Sequence, residues 1–397
     1  MSSTNDFRAD VRQWLERNCP PSQRAPIVKE EQIWAGRNRT FHSEDAKKWF
    51  EAMRDRGWTA PQWPKALGGG GLNAEEAQIL QAEMRRLNCR PPLYDLGLWM
   101  LGPALLTFGT EAQKAEHIPK IARGEIRWCQ GYSEPAAGSD LASLKTRAED
   151  HGDYFLVNGT KLWTTQADKA DWIFCLVRSD PDAKKQDGIS FLLIDMQREG
   201  VSTSPIELIS GESEFCQTFF DNVKVPKANL VGEIHKGWQV AKELLKHERK
   251  LMSVMAEISE KEEQDILALA RRYLGTDEEN RLADPVLRDQ ITQHLMRSDA
   301  DKATNLRLYQ QMKAGQLDPR LPLIMKHVST KEYQRKDELL LKILGNRGLG
   351  WQDKAEFNDD EQRVMRNWAN DKAHTIAGGT SEIQLNIIAR RALDLPQ

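Results

Sequence analysis

The spacing of apolar residues changes period twice along this chain, near residue 127 and again near residue 237. The fold must therefore join a strand-built region to helical regions on either side. From about residue 5 to 126 the spacing is helical. Trp49, Met53 and Trp58 close one segment, AEEAQILQAEMRRL (74–87) follows a Gly-rich break, and a further run spans Asp95 to Phe108. EAQKAEHIPKIARG (111–124) ends on Gly124, a residue suited to stopping a helix. Residues 1–18 read as the opening of a helix with Asn5 or Asp6 as its cap, and they lack the apolar stretch of a signal peptide. The consecutive glycines 68–71 invite comparison with a phosphate loop. No strand precedes them and no Lys-Ser/Thr follows, so they read as a loop leading to the helix cap Asn73.

The middle region has strand character. YFLVNGTKLWTT (154–165) carries an Asn-Gly pair, which predicts a hairpin turn between two strand-like runs. DWIFCLVRS and GISFLLIDM are short apolar runs bounded by charged turns, as buried strands should be, and CQTFFDNVKVP closes the set at Pro226. Beyond residue 237, long amphipathic helices with short breaks favour a bundle, with predicted helices near 325–344 and 359–375 before the tail. The expected architecture is α+β, with an N-terminal helical domain (1–126), a middle β-barrel-like domain (127–236) and a C-terminal four-helix bundle (237–397).

Composition narrows the function. A formal net charge of −3 gives no global basic field for nucleic acid or anionic lipid. No apolar run approaches the roughly 18 residues of a membrane span. Cys19, Cys89, Cys129, Cys175 and Cys216 are scattered, with no CxxC pair and no His cluster, so neither a disulfide nor a structural zinc site is expected. The expected location is the cytoplasm.

SEPAAGSD (133–140), NGTKLWTT (158–165), FFDNVKVPKANLVGE (219–233) and GGTSEIQ (378–384) occur in an order and spacing that resembles the acyl-CoA dehydrogenase family over nearly the whole chain. The resemblance implies an FAD held between the middle domain and the C-terminal bundle, an acyl-CoA substrate, and an electron-transfer flavoprotein or similar acceptor. It also implies a homotetramer or dimer of dimers, because a neighbouring subunit usually completes the flavin site. By position, Gln130, Tyr132 and Ser133 match contacts to the flavin ring and its substituents. Gly138 and Ser139 match the turn that meets its phosphates. Trp163 and Thr165 match residues against the ring, and Thr380 and Glu382 match tail positions that reach it. The chemistry of these residue types agrees. A pyrophosphate needs close backbone approach and donors, and a flavin needs a flat apolar wall with a few donors. By its own residue type, Trp163 also suits an ordinary core aromatic on a strand.

The implied reaction removes two hydrogens from the α and β carbons of an acyl thioester. A carboxylate in a dry pocket takes the α proton and donors polarise the thioester carbonyl. In many family members the base immediately precedes the Gly-Thr of the tail motif. Here that residue is Gly378, which has no side chain but keeps a backbone amide for the carbonyl. A minority of members carry the base on the first long helix of the C-terminal domain, just before an Arg, and this chain has Glu248 and Arg249 in LLKHERKLM. Val240, Ala241, Leu244, Leu245, Leu251, Met252 and Met255 form an apolar stripe that includes position 248. The alternative is that Glu248 is a solvated member of the KHERK run; Arg249 either orients the pocket or is a surface charge. Lys342 stands where members often carry a Gln for the neighbouring subunit's flavin, the following Gly pair becomes Gly345-Asn346, and Arg281 and Gln290 are misspaced. These departures open the reading of a flavin-poor or inactive partner subunit of a hetero-oligomer; a flavin oxidase or monooxygenase on the same fold is a further alternative, which no residue demands.

Overall fold

The computed structural model describes residues 2–26, 29–245, 266–318, 320–352 and 354–396. By contact the chain divides into two compact units, Met1–Ile206 with Glu214–Glu262, and Glu207–Ser213 with Glu263–Gln397. In the first unit, helix α1 (Ser2–Asn18) is already formed at Ser2, so Asn5 and Asp6 lie inside it and do not cap it. Helix α2 (Glu44–Asp55) starts at the Ser43 hydroxyl, which accepts from the Ala46 amide at 3.1 Å, and it buries Ala46, Trp49, Phe50 and Met53. Helix α3 (Ala74–Arg86) starts with a capping box between Asn73 and Glu76, as the loop reading of 68–71 expects. The amides of Gly68, Gly69, Gly70 and Gly71 are all spent on carbonyls of residues 60–65, leaving none of the four for a phosphate. A Cβ on Gly69 would lie 2.3 Å from the Trp63 carbonyl oxygen, so close packing accounts for the glycine there.

Asp95 begins a π-helical turn, Gly97–Leu101, that leads into α4 (Gly102–Phe108); α5 (Glu111–Ala122) follows with a Thr110–Gln113 capping box. The sheet then begins. Its strands are β1 (Trp128–Gly131), β2 (Arg147–Asp150), β3 (Tyr154–Thr165), β4 (Trp172–Arg178), β5 (Ile189–Asp195), β6 (Val201–Ile206) and β7 (Phe215–Pro226). They run in the order β1-β4-β2-β3-β7-β6, with β5 on β4. Both faces are covered, which explains the continuous apolar runs. Phe174 and Leu176 face the core shared with α2, α4 and α5, while Cys175 and Val177 face the inner core with Phe155, Val157 and Val223.

The expected hairpin at Asn158-Gly159 does not form. β3 runs straight through and pairs antiparallel with β7 from Tyr154↔Pro226 to Thr165↔Phe215, with a register shift between Val157 and Gly159. The glycine serves a close approach instead, since a Cβ at Gly159 would lie 2.7 Å from the Thr146 Cα. Residues 237–245 are helical (α6), and Val240, Ala241 and Leu244 there are buried in the first unit's larger core.

The second unit holds α7 (Ile266–Leu274), α8 (Pro285–Lys313), α9 (Pro322–Leu344), α10 (Asp359–Asp371) and α11 (Ser381–Arg391), consistent with the predicted bundle. Its core gathers Leu269, Ile291, Leu340, Ile343 and Val364. Buried Glu361 organises one end, accepting from Arg347 at 2.7 and 2.8 Å and from Tyr273 at 2.9 Å while capping its own helix. Arg347 holds its carboxyl down at about 2. Among the described residues no helix is long and apolar enough to cross a membrane.

Asp95 is fully buried. Its Oδ1 accepts from the Trp128 amide at 2.9 Å, tying the π turn to the start of β1, and its Oδ2 has no hydrogen-bond partner among the described residues. Burial pushes its pKa up to about 7. A raised carboxyl favours the folded state while protonated, so this contribution is lost as pH rises from about 4 through 7. Asp95→Asn keeps the acceptor but cannot ionise. Its thermal midpoint should therefore gain on that of the native protein between pH 5 and pH 8, measured by calorimetry; a constant difference across that range would refute the titration.

Candidate active site

The SEPAAGSD loop is built around a buried charge pair. Lys161, fully buried on β3, donates through Nζ to Glu134 Oε1 at 2.7 Å and to the Tyr132 carbonyl at 3.2 Å. Glu134 also accepts from the Lys145 and Thr146 amides at 2.6 and 2.9 Å, so both ends of the loop converge on one carboxylate. Its pKa is held below the ordinary value: burial alone would raise it, and Lys161 and these donors reverse the sign. Neither residue was singled out from sequence. The available signal was period two on β3: Phe155, Val157 and Lys161 all point inward, and an inward lysine demands an acid partner.

This pair places the predicted flavin-side residues. The Leu162 amide donates to the Ser133 carbonyl at 2.8 Å, so Tyr132 and Ser133 lie directly beside the end of β3. Between Lys161 and Thr164 the ladder slips, and Trp163 takes φ +60. A bulky side chain at positive φ is a strained exception that surrounding structure must enforce. The slip throws the indole outward, 51% exposed, with only the Phe215 ring, among the described residues, edge-on at 6.0 Å, so Trp163 is not a core aromatic. Thr165 returns to the ladder opposite Phe215, and Gln130 lies on β1 opposite Phe174. Gly138 and Ser139 are exposed at the loop tip, and a Cβ at Gly138 would meet nothing within 4 Å. A bare flat ring, an unobstructed backbone and an exposed hydroxyl fit a flavin nucleotide.

The tail residues belong to the second unit. Lys326 on α9 donates to the His374 and Gly379 carbonyls at 2.9 and 2.8 Å, and Gln334 donates to the Asp371 carbonyl and to Thr375 Oγ1, both at 3.1 Å. These two side chains were not anticipated; they set the turn that carries Gly378 and Gly379 at φ +65 and +95. Thr380 caps α11 by accepting from the Ile383 amide at 3.2 Å. The carboxyl of Glu382 in the first turn is held down by its own backbone amide and by the Thr380 hydroxyl. Glu248 and Arg249 lie outside the described residues.

On α8 and α9, Lys342 donates to Gln290 at 3.2 Å, and both line a cleft of about 500 Å³ with Arg297, Lys331, Arg335 and Lys372. Arg281 is engaged by Asp277 at 2.9 Å and Glu279 at 2.7 Å. Replacing Lys161 by Met should strand the Glu134 charge and cost about 3–5 kcal/mol of stability. Denaturant titration measures that loss, and a neutral result would remove the pair from its organising role.

Three family descriptions match in order: the N-terminal domain of acyl-CoA dehydrogenase over residues 2–125, its middle domain over 129–223 and its C-terminal domain over 235–393. Acyl-CoA dehydrogenase IpdE1 of Mycobacterium tuberculosis is 33% identical over 399 aligned residues, covering 100% of this chain and 99% of that one. Among solved structures, the Tcur3481-Tcur3483 steroid ACAD is 28% identical with a TM-score of 0.76, covering 100% and 98% of the two chains. The ChsE4-ChsE5 complex from Mycobacterium tuberculosis is 26% identical with a TM-score of 0.71, again covering 100% and 98%. The chain belongs to the acyl-CoA dehydrogenase family, whose members are FAD-dependent oxidoreductases acting on acyl-CoA.

Proposed function

We propose that this protein removes the α and β hydrogens of an acyl-CoA to form the trans-2-enoyl-CoA in the cytoplasm, with Glu248 as the base. The observation that carries the reading is the outward indole of Trp163, held at φ +60 beside Ser133 by the Glu134–Lys161 pair. Such strain is retained where a surface is needed, and a flat apolar wall is what a flavin requires. Trp163 and Thr165 would line the ring together with Gln130, Tyr132 and Ser133. Gly138 and Ser139 would meet the phosphates, and the same resemblance assigns Thr380 and Glu382 to the cofactor. When bound, the flavin supplies the acceptor for the β hydride, and its electrons pass to an electron-transfer flavoprotein or similar acceptor.

The base assignment rests on two observations. Gly378 offers no proton acceptor, whereas its amide remains available to polarise the thioester carbonyl. Val240, Ala241 and Leu244 are buried, and Glu248 follows Leu244 by four residues in the sequence, continuing the same stripe. A carboxylate on an apolar face has its pKa raised by desolvation, as an α-proton base needs. Arg249 would orient that pocket. Similarity to a steroid ACAD supports a bulky, ring-bearing acyl group.

A second reading is a hetero-oligomer in which this chain is a flavin-poor partner. Arg281, Gln290 and Lys342, the nearest counterparts of residues that reach a neighbour's flavin, are engaged within their own unit, and a similar solved structure is the ChsE4-ChsE5 complex. Under the main reading the oligomer is a homotetramer or dimer. Glu248→Gln should keep the flavin absorption and lose at least about two orders of magnitude in turnover. Stopped-flow bleaching by a panel of acyl-CoAs reads both quantities. Full activity in that variant discards Glu248, and a chain purified alone without flavin favours the partner reading.

A further inference from the structure

Cys19 and Cys89 are far apart in sequence but share one small core. Cys19 directly follows α1, is 1% exposed, and places its sulfur 3.7 Å from the Gln23 carbonyl oxygen. Cys89 lies just past α3, half-buried against the same cluster, and the next residue, Arg90, donates its amide to that Gln23 carbonyl at 2.9 Å. One carbonyl thus gathers both cysteines, and of the groups around each thiol the other thiol acts on it most strongly. The helices behind them are clamped. Glu83 on α3 takes Arg8 at 3.1 Å and Arg12 at 3.0 Å from α1, along with Arg86 at 2.7 Å.

The two sulfurs are not equivalent. The neighbouring Cys89 thiol, aided by Arg24, lowers the Cys19 thiol, while Cys89 is raised by Cys19 and by burial. Arg24 is fixed there by donating twice to the Cys19 carbonyl, at 2.9 and 2.6 Å. The other cysteines differ. Cys129, Cys175 and Cys216 are fully buried, and desolvation pushes each thiol up, Cys175 to about 12.

We propose that Cys19 and Cys89 form an oxidation-sensitive dithiol that closes to a disulfide between the ends of α1 and α3 when the protein meets hydrogen peroxide. The Cys19 sulfur attacks one peroxide oxygen, the O–O bond breaks, and the departing hydroxide takes the Cys19 proton as water, leaving a sulfenic acid on Cys19. The Cys89 sulfur then attacks the Cys19 sulfur. The S–O bond breaks and the departing hydroxide takes the Cys89 proton as water. Two thiols are oxidised, and the peroxide is reduced to two waters. Partial exposure of Cys89 provides the approach, and the closed ring would restrict the unfolded chain over a long loop.

The test uses the folded full-length protein and hydrogen peroxide, followed by quenching, denaturation and thiol titration. The five free thiols should fall to three, and tryptic mapping should recover one linked pair, the peptides holding Cys19 and Cys89. The oxidised protein should melt a few degrees higher, and dithiothreitol should reverse the shift. Cys89→Ser, at the half-buried position, should yield no linked peptide and no rise in midpoint. A count that stays at five, or a linkage that involves Cys129, Cys175 or Cys216, overturns the proposal.

Discussion

A lysine with no exposed surface holds the candidate site in place. Lys161 occupies an inward position of β3, where hydrocarbon is the ordinary choice, and its ammonium is tolerated because Glu134 and the Tyr132 carbonyl meet it. Glu134 needs it in return, since two amides alone would leave a buried carboxylate with little opposing charge. The pair therefore closes a loop whose ends are a turn and a strand, and it does so from beneath. Everything this loop displays outward, from Ser133 to Ser139, is positioned by a contact on its hidden side. Trp163 is displayed in the same way, two residues beyond the lysine.

The second unit uses the same device with carbonyls in place of carboxylates. Lys326 joins the His374 and Gly379 carbonyls, and Gln334 joins the Asp371 carbonyl to the Thr375 hydroxyl. Both side chains come from α9, a helix anchored in the core through Leu339, Leu340, Ile343 and Leu344. The turn that carries the Gly-Gly-Thr motif is thus referenced to a packed helix, and Thr380 then starts α11 by capping it. A glycine pair at positive φ would otherwise sample many conformations.

Much of the fold was legible because its signals are local. Asn73 announces α3 through a cap that needs only the residue three positions on, and the apolar runs of β4 and β5 announce burial on both faces. Gly159 misled for a physical reason. Asn-Gly is the signature of a tight turn, but a glycine is equally required where Thr146 presses against a strand, and that approach comes from elsewhere in the chain. The site was legible as a set of residue types in order. Its support was not: Glu134 and Lys161 meet across a loop, Lys326 and His374 across two helices, and no period encodes such pairings. The slip that turns Trp163 outward is likewise a property of the β3–β7 register and not of the tryptophan.

Gly378 has a consequence for how such a protein can change over time. Its φ of +65 taxes any other residue by about 1–2 kcal/mol, yet no atom of the described chain stands within 4 Å of where a Cβ would go. The position is therefore under a backbone constraint without a steric one. A carboxylate at that position would take a single substitution at modest expense, with no repacking among the described residues.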